Sequence, residues 1–290
     1  GRYNVAVGTT ALYTADGTQY NVAVGYGALY ATTTGDYNTA VGYNTLYNNT
    51  TGVRNTTVGY YALLNNTYGL YNNAFGYSSL STNTTGGTNT AVGHGTLYSN
   101  TYGSSNIAIG HSALFWNTTG SNQVAISYQA LTNNTTGYNN VAVGYQTLAG
   151  NIIGIENVAL GTQALLNNTN NNNVAIGSYS MINTAGGYNN VAMGYRSLQA
   201  NTTGIQNVAI GYGALYTSTI TQYNTAVGYT ALYNNTTGDQ NTAVGYSSLT
   251  SNTYGERNSA FGKDSLLYNT AGYYNVALGY QSLYSNTLGF

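Results

Sequence analysis

Asn38-Thr39-Ala40-Val41-Gly42-Tyr43, followed by Thr45-Leu46-Tyr47-Asn48-Asn49-Thr50-Thr51-Gly52, decides the fold, because this stretch recurs along the whole chain. Its leading asparagine returns at Asn4, Asn21, Asn38, Asn55, Asn72, Asn89 and Asn106. After Gln123 takes its place once, it continues at Asn140, Asn157, Asn173, Asn190, Asn207, Asn224, Asn241, Asn258 and Asn275. Consecutive members lie 17 residues apart, with one 16-residue step from Asn157 to Asn173. A fixed short period over a whole chain is the signature of a repeat architecture and overrides any local reading.

Counting the leading asparagine as position 0, position 2 is Ala in every repeat except Thr57. Position 3 is a larger apolar residue throughout, as at Val7, Val41, Phe75, Ile109, Leu160, Met193 and Phe261. Position 4 is Gly except at Ser127, position 7 is Ala, Ser or Thr, and position 8 is Leu except at Met181. Asn at 11, Thr at 12 and Gly at 14 close most copies. Two glycines and a run of Asn and Thr in every repeat would each cost helix stability. Short β-branched and aromatic segments between Asn, Thr and Gly predict strands and turns instead. The expectation is one strand over positions 1–5, a second over 7–11, and a turn at Asn-Thr-Thr-Gly with the glycine free to take a positive φ.

The fold class is therefore all-β, a parallel β-solenoid (β-roll or β-helix) of about seventeen 17-residue rungs over residues 1–290, a single continuous repeat array. Like then stacks on like, so position 0 becomes an asparagine ladder whose amides bond up and down the stack. Gln123 keeps the amide. The one-residue deletion falls within Asn170-Asn171-Asn172, inside the turn, where Asn replaces the lost Gly as a residue tolerant of the left-handed conformation. Alternation predicts a thin apolar core from position 3 and Leu at position 8. The small residues at positions 2 and 4 imply a backbone close by, either the opposite wall of a flattened coil or a neighbouring chain. A thin coil gains from packing with other copies, as a trimer or filament. Gly1 and Gly289 keep the phase of Gly52, and Phe290 follows one step later. The expectation is an uncapped section of a longer or end-to-end assembled chain.

Charged residues make up 4% of the chain, against about 25% in ordinary soluble domains. The net charge of −1 offers no basic stripe for nucleic acid. There is no Cys for disulfides or thiolate metal sites, and no Pro to interrupt a ladder. No apolar run reaches the 18 or so residues that a membrane-crossing helix needs, so no membrane insertion is expected in this segment.

The repeat resembles the head repeats of trimeric autotransporter adhesins, in its Asn-x-Ala-(Val/Ile)-Gly followed by a small residue and Leu. It is also similar to Asn-Thr-Ala-Val-Gly-Tyr and Ala-Leu-Tyr-x-Asn-Thr-Thr-Gly repeats of phage tail-fibre-like and bacterial surface proteins. The resemblance implies a left-handed parallel β-roll wound as a trimer. The repeat here is longer, carries the extra Asn-Asn-Thr-Thr-Gly turn and is rich in Tyr.

His94 and His111, the two histidines, both fall at position 5, where Tyr26, Tyr43, Tyr60 and Tyr77 set the pattern. They read as polar aromatic stand-ins for Tyr rather than a metal pair. Asp16, Asp36, Glu156, Asp239, Glu256 and Asp264 form no pair at a spacing suited to acid–base work. Neither a nucleophile elbow nor a Walker loop is present, so the sequence implies no enzyme, no cofactor and no metal. The Tyr column at position 5 and the partial one at position 9 (Tyr13, Tyr30, Tyr47, Tyr98, Tyr216, Tyr233, Tyr284) read as stabilising stacks with a possible second use on sugars. Glycosylation sequons recur in the turn at Asn48, Asn49, Asn65, Asn83, Asn117, Asn133, Asn134, Asn167, Asn201, Asn234 and Asn235, although Asn and Thr are also plain turn residues.

The function expected is a rigid, non-catalytic rod in an extracellular fibre, surface appendage or phage fibre shaft, homo-oligomeric and located outside the cell, at its surface or on a virion. The alternatives are an adhesin or carbohydrate-binding module that uses Tyr and Asn/Thr columns on surface glycans, and, more weakly, ice binding by a flat Thr array.

Overall fold

In the computed structural model the described residues are 1–289; Phe290 lies outside them. The chain divides into two compact units, Gly1–Val143 and Gly144–Phe290. The first carries nine three-residue strands, from Val5–Val7 to Val141–Val143; the second carries eight, from Val158–Leu160 to Val276–Leu278. Within each unit every strand pairs in parallel with the strand of the next repeat, like residue against like: Val22↔Thr39, Ala23↔Ala40, Val24↔Val41. The described residues form no helix. The protein is a parallel β-solenoid of 17-residue coils. The short coil keeps its register through the deletion, where Val158 still faces Val174.

The strand is shorter than expected, and the second expected strand is absent. The run over positions 5–10 is turn, as over 43–48, and beyond it the chain only bends, as over 50–51. The reason is backbone handedness. Positions 6 and 8 take left-handed φ in every coil, as at Asn44 (48°) and Leu46 (53°), and the residue before the leading Asn does too, as at Tyr37 (59°). Alternating left-handed residues break the pleat that a strand requires. The segment still bonds coil to coil: the Leu46 N–H donates to the Ala62 carbonyl (3.0 Å), and the Asn44 N–H to the Tyr26 carbonyl (2.8 Å).

The core also differs from expectation. Leu at position 8 is fully buried from Leu29 to Leu266, with Leu283 48% exposed, and the residues buried with it are Ala at position 2 and the small residue at position 7, not the residue at position 3. Position 3 lies on the outer face, where Val58 (39%) and Phe75 (36%) remain exposed. The strand alternates around Ala, which points inwards; the coil is so narrow that only a small residue fits there beside Leu. Where position 7 is polar, its hydroxyl donates to the carbonyl at position 4, as Thr45 Oγ1 does to Gly59 (3.3 Å) and Ser79 Oγ to Gly76 (3.3 Å). Thr57, the one exception at position 2, is buried and donates to the Thr39 carbonyl (3.2 Å).

The close backbone implied by Gly at position 4 is that of the next coil. A Cβ on Gly76 would sit 2.5 Å from the Gly93 carbonyl oxygen. Gly at position 14 does not serve a positive φ, contrary to expectation: Gly69 and Gly86 have ordinary φ. It serves space, since a Cβ on Gly69 would lie 2.5 Å from the Gly86 carbonyl oxygen and 2.8 Å from Asn83 Nδ2. In the deleted turn Asn170 likewise takes no left-handed φ. Its carbonyl replaces that of the glycine and accepts from Asn157 Nδ2 (2.8 Å), while Asn172 falls at a position that is left-handed in every coil.

Candidate functional surface

The asparagine ladder is present, and each amide does two jobs. Asn38 Oδ1 accepts the backbone N–H of Asn55 in the next coil (3.0 Å). Asn38 Nδ2 donates to the carbonyl of Gly52 at the end of its own coil (2.9 Å). In several coils Nδ2 also reaches the neighbouring amide, as Asn55 does to Asn38 Oδ1 (3.1 Å). Gln123 keeps both roles: its Oε1 accepts the Asn140 N–H (3.1 Å), and its Nε2 bonds the Gly137 carbonyl.

A second ladder at position 11 escaped the sequence reading. Asn66 Nδ2 donates to Asn49 Oδ1 (2.8 Å) and to the Gly69 carbonyl (2.9 Å), and Asn83 and Asn100 repeat the pattern at 2.8 Å. The signal was there in the Asn-x-x-Gly spacing, which places the amide over the carbonyl three residues on. This ladder removes six candidate glycosylation residues from the surface: Asn49, Asn83, Asn117, Asn134, Asn201 and Asn235 are fully buried. Asn48 and Asn65 are half-buried, and Asn133, Asn167 and Asn234 are exposed.

The outward sheet face is bounded by two aromatic columns. At position 5, Tyr26, Tyr43, Tyr60 and Tyr77 stack with centroids 5.1, 5.0 and 5.3 Å apart. His94 and His111 continue the same stack at 5.0 and 4.8 Å, as the stand-in reading expects. In the second unit Tyr212, Tyr229 and Tyr246 stack at 5.0 and 5.2 Å, and the Lys263 ammonium replaces a ring between Tyr246 (5.4 Å) and Tyr280 (5.8 Å). Lys263 also lies 3.9 Å from Asp264. At position 9, Tyr13, Tyr30 and Tyr47 stack at 5.2 and 4.6 Å.

The column just before the leading Asn was not foreseen, because its residues vary along the chain. There Tyr3, Tyr20 and Tyr37 stack at 5.1 and 4.9 Å, and the Arg54 guanidinium sits over both Tyr37 (5.6 Å) and Tyr71 (5.4 Å). Cations thus fill places in the ring columns, where the electron-rich faces on either side favour them. Charged carboxylates serve the backbone instead: Asp36 accepts the Gln19 N–H (2.7 Å), and Asp239 the Gln222 N–H (2.7 Å).

Between these columns run positions 1 and 3, a strip of half-exposed Val, Thr, Ile, Phe and Met. The threonines at position 12 are turned to a different use. Thr50, Thr67 and Thr84 each donate the hydroxyl to a carbonyl of the next coil, at 3.0, 3.0 and 3.1 Å.

Three tyrosines leave the parallel stacks, among them Tyr179, which stands at 89° to Tyr195 with centroids 5.9 Å apart. Tyr61 is tilted 52° against Tyr60, with centroids 4.1 Å apart, and 59° against Tyr43 at 5.6 Å. Tyr268 stands edge-on to Tyr284 at 5.1 Å and 87°. A hydrogen bond with Tyr61 pushes the Tyr60 phenol up to about 12, and one with Tyr268 raises that of Tyr284. The Tyr60 proton is therefore held more tightly in the folded chain than at the ordinary value of 10.0. Its contribution to stability is present below about pH 10 and is lost as the pH rises through about 12. In a phenolate absorbance titration, Tyr61→Phe is expected to remove the latest-ionising tyrosine; an unchanged curve would contradict the assignment.

Among the described residues there is no group of three or more His, Asp or Glu placed to hold a metal. No helix of the described residues is long and apolar enough to cross a membrane. In comparisons with known proteins, no family model matches the chain and no curated protein aligns with it.

Proposed function

We propose that the chain is a structural, non-catalytic component of an extracellular fibre, surface appendage or phage fibre shaft, and that it packs against copies of itself through the outward sheet face. The observation that carries this reading is the strip at positions 1 and 3. Large apolar side chains normally buried, such as Phe75, Val92 and Ile109, stand there in successive coils at 36%, 36% and 38% exposure. Contiguous apolar patches of this kind mark interaction surfaces. With strands about 4.8 Å apart and residues about 3.3 Å apart, nine three-residue strands present roughly 400 Å², and the flanking ring columns extend that face towards the ~800 Å² per partner of a standard interface.

The face commits to a second copy of this chain as its occupant. It is almost free of charge, and its side chains repeat at the coil spacing. A copy of the same face meets that spacing coil for coil, whereas an aperiodic partner matches only part of it. A trimer or a filament extends the same contact.

Concentration-dependent light scattering, followed by cryo-EM of the assemblies, tests this. Association of the native chain is expected, with Phe75→Lys and Val92→Lys together dispersing it while the far-ultraviolet circular dichroism is retained. A native chain that stays monomeric at every concentration, or a double variant that assembles unchanged, would sink the proposal.

The adhesin or carbohydrate-binding alternative finds support at lone tyrosines rather than in the columns. Sugars stack on ring faces, and stacked neighbours cover those faces. Tyr68, Tyr102 and Tyr254 at position 13 are 61%, 63% and 59% exposed and offer open rings. Their replacement would abolish glycan-array binding on that reading. Ice binding has less support, since the position 12 hydroxyls are given to carbonyls. Any glycan attached to the folded chain belongs at Asn48, Asn65, Asn133, Asn167 or Asn234, which glycopeptide mapping tests; a glycan on Asn83 or Asn117 would contradict it.

A further inference from the structure

The chain has 33 tyrosines, no cysteine and a single lysine, Lys263, so covalent reinforcement by disulfide or by lysine chemistry has almost nothing to act on. Phenol chemistry has a great deal. One-electron oxidation of a phenol leaves a radical whose unpaired spin is shared by the oxygen and the ring carbons ortho to it. Two such radicals join through those ortho carbons when the hydroxyl-bearing edges of the rings meet.

The parallel columns do not offer that approach. In Tyr30 and Tyr47, 2° from parallel, ring face lies over ring face at 4.6 Å, and like atoms are separated by about one coil spacing. The tilted rings do offer it. Tyr61 turns 52° to Tyr60, with ring centroids 4.1 Å apart, and 59° to Tyr43 at 5.6 Å. Tyr268 and Tyr284 meet edge to face, with ring centroids 5.1 Å apart and planes at 87°. Tilted rings this close bring the edge of one ring, rather than its face, against its neighbour, as coupling between ring carbons requires. Tyr43 and Tyr61 belong to successive coils, as do Tyr268 and Tyr284, so a bond in either pair ties one coil to the next independently of the ladders. These rings are accessible: Tyr43 is 40% exposed and Tyr268 48%.

We propose that the Tyr43–Tyr60–Tyr61 cluster and the Tyr268–Tyr284 pair are sites of oxidative cross-linking, at which a peroxide-driven one-electron oxidant staples neighbouring coils through dityrosine. Each phenol gives up one electron and its hydroxyl proton. The two radicals form a carbon–carbon bond between ortho carbons, and the hydrogens on those carbons return to the phenol oxygens as the rings become aromatic again. Two electrons and two protons leave per link, and hydrogen peroxide takes them up as two molecules of water. The inference stands apart from packing between copies, because both partners of each link lie in one chain.

The test treats the dilute full-length chain with a haem peroxidase and limiting hydrogen peroxide, then maps the joined peptides by mass spectrometry. The expected products have lost two hydrogens per link, join Tyr61 to Tyr43 and Tyr268 to Tyr284, and appear without an increase in chain size on a denaturing gel; links confined to Tyr60 and Tyr61, which share a coil, would count against the staple. Dityrosine fluorescence is expected to be largely lost in the Tyr61→Phe, Tyr268→Phe double variant and retained in the Tyr68→Phe, Tyr102→Phe control. Circular dichroism confirms that both variants fold. Links scattered over the tyrosines in proportion to exposure, or fluorescence unchanged in the first variant, would overturn the proposal.

Discussion

Gly86→Thr opens the coil around it, and Asn83→Ser in the same molecule restores part of the loss. A Cβ on Gly86 would sit 2.5 Å from Asn83 Oδ1 and 2.9 Å from Asn100 Nδ2, and closer still to the Gly103 carbonyl. Overpacking against a fixed backbone is expected to cost about 3 kcal/mol. The chain shows how such a residue is accommodated. Position 14 is Thr at Thr221, and there position 11 is Ser218 rather than Asn, the two hydroxyls meeting within the coil. The smaller side chain vacates the space that the amide fills elsewhere.

Relief is incomplete, because an amide in the coil below loses its donor, as Asn201 Oδ1 has no partner beneath Ser218. A double-mutant cycle read by chemical denaturation is expected to give a favourable coupling of about 1–3 kcal/mol between the two sites. Additive losses would show that the glycine and the amide do not share this space.

The second large effect belongs to the first ladder. Asn89→Leu removes the acceptor of the Asn106 N–H (3.0 Å) and the donor to both the Gly103 carbonyl (2.9 Å) and Asn72 Oδ1 (3.1 Å). The Asn106 amide is then buried without a partner, and the combined loss is expected to be about 3–5 kcal/mol, well above an ordinary substitution. Asn89→Gln keeps the amide and is expected to cost about 1 kcal/mol, the size of one imperfect hydrogen bond. Native-state hydrogen exchange reads the effect directly, since the Asn106 amide loses protection in the leucine variant alone. Equal losses for Leu and Gln would mean that side-chain volume, not hydrogen bonding, fixes this position.

Repeat length, parallel stacking, register through the deletion and the asparagine ladder were all legible in the sequence. Each follows from like residues returning at a constant interval, and the only regular way to satisfy a buried amide at such an interval is another amide or a backbone group in the next coil. Gln123 made this visible before any coordinates, because it preserves the amide where it changes the length. The second ladder was legible in principle from Asn-x-x-Gly, but a turn composition explains the same letters equally well.

What the sequence could not decide was which way each residue faces. Period-2 alternation placed the residue at position 3 inside with Leu at position 8, yet Ala at position 2 is the buried one. Alternation fixes that neighbours face opposite ways, not which of them faces in. That choice belongs to the width of the coil, set by the left-handed residues at positions 6 and 8. A left-handed Leu at every repeat is invisible to propensity, which assigns such φ to Gly and Asn; coil-to-coil hydrogen bonds and burial hold it there. The tertiary structure alone therefore decided the single short strand, the apolar strip turned outwards and the tilt of Tyr61 and Tyr268. The period itself, and the amides that lock one coil onto the next, were determined by the sequence.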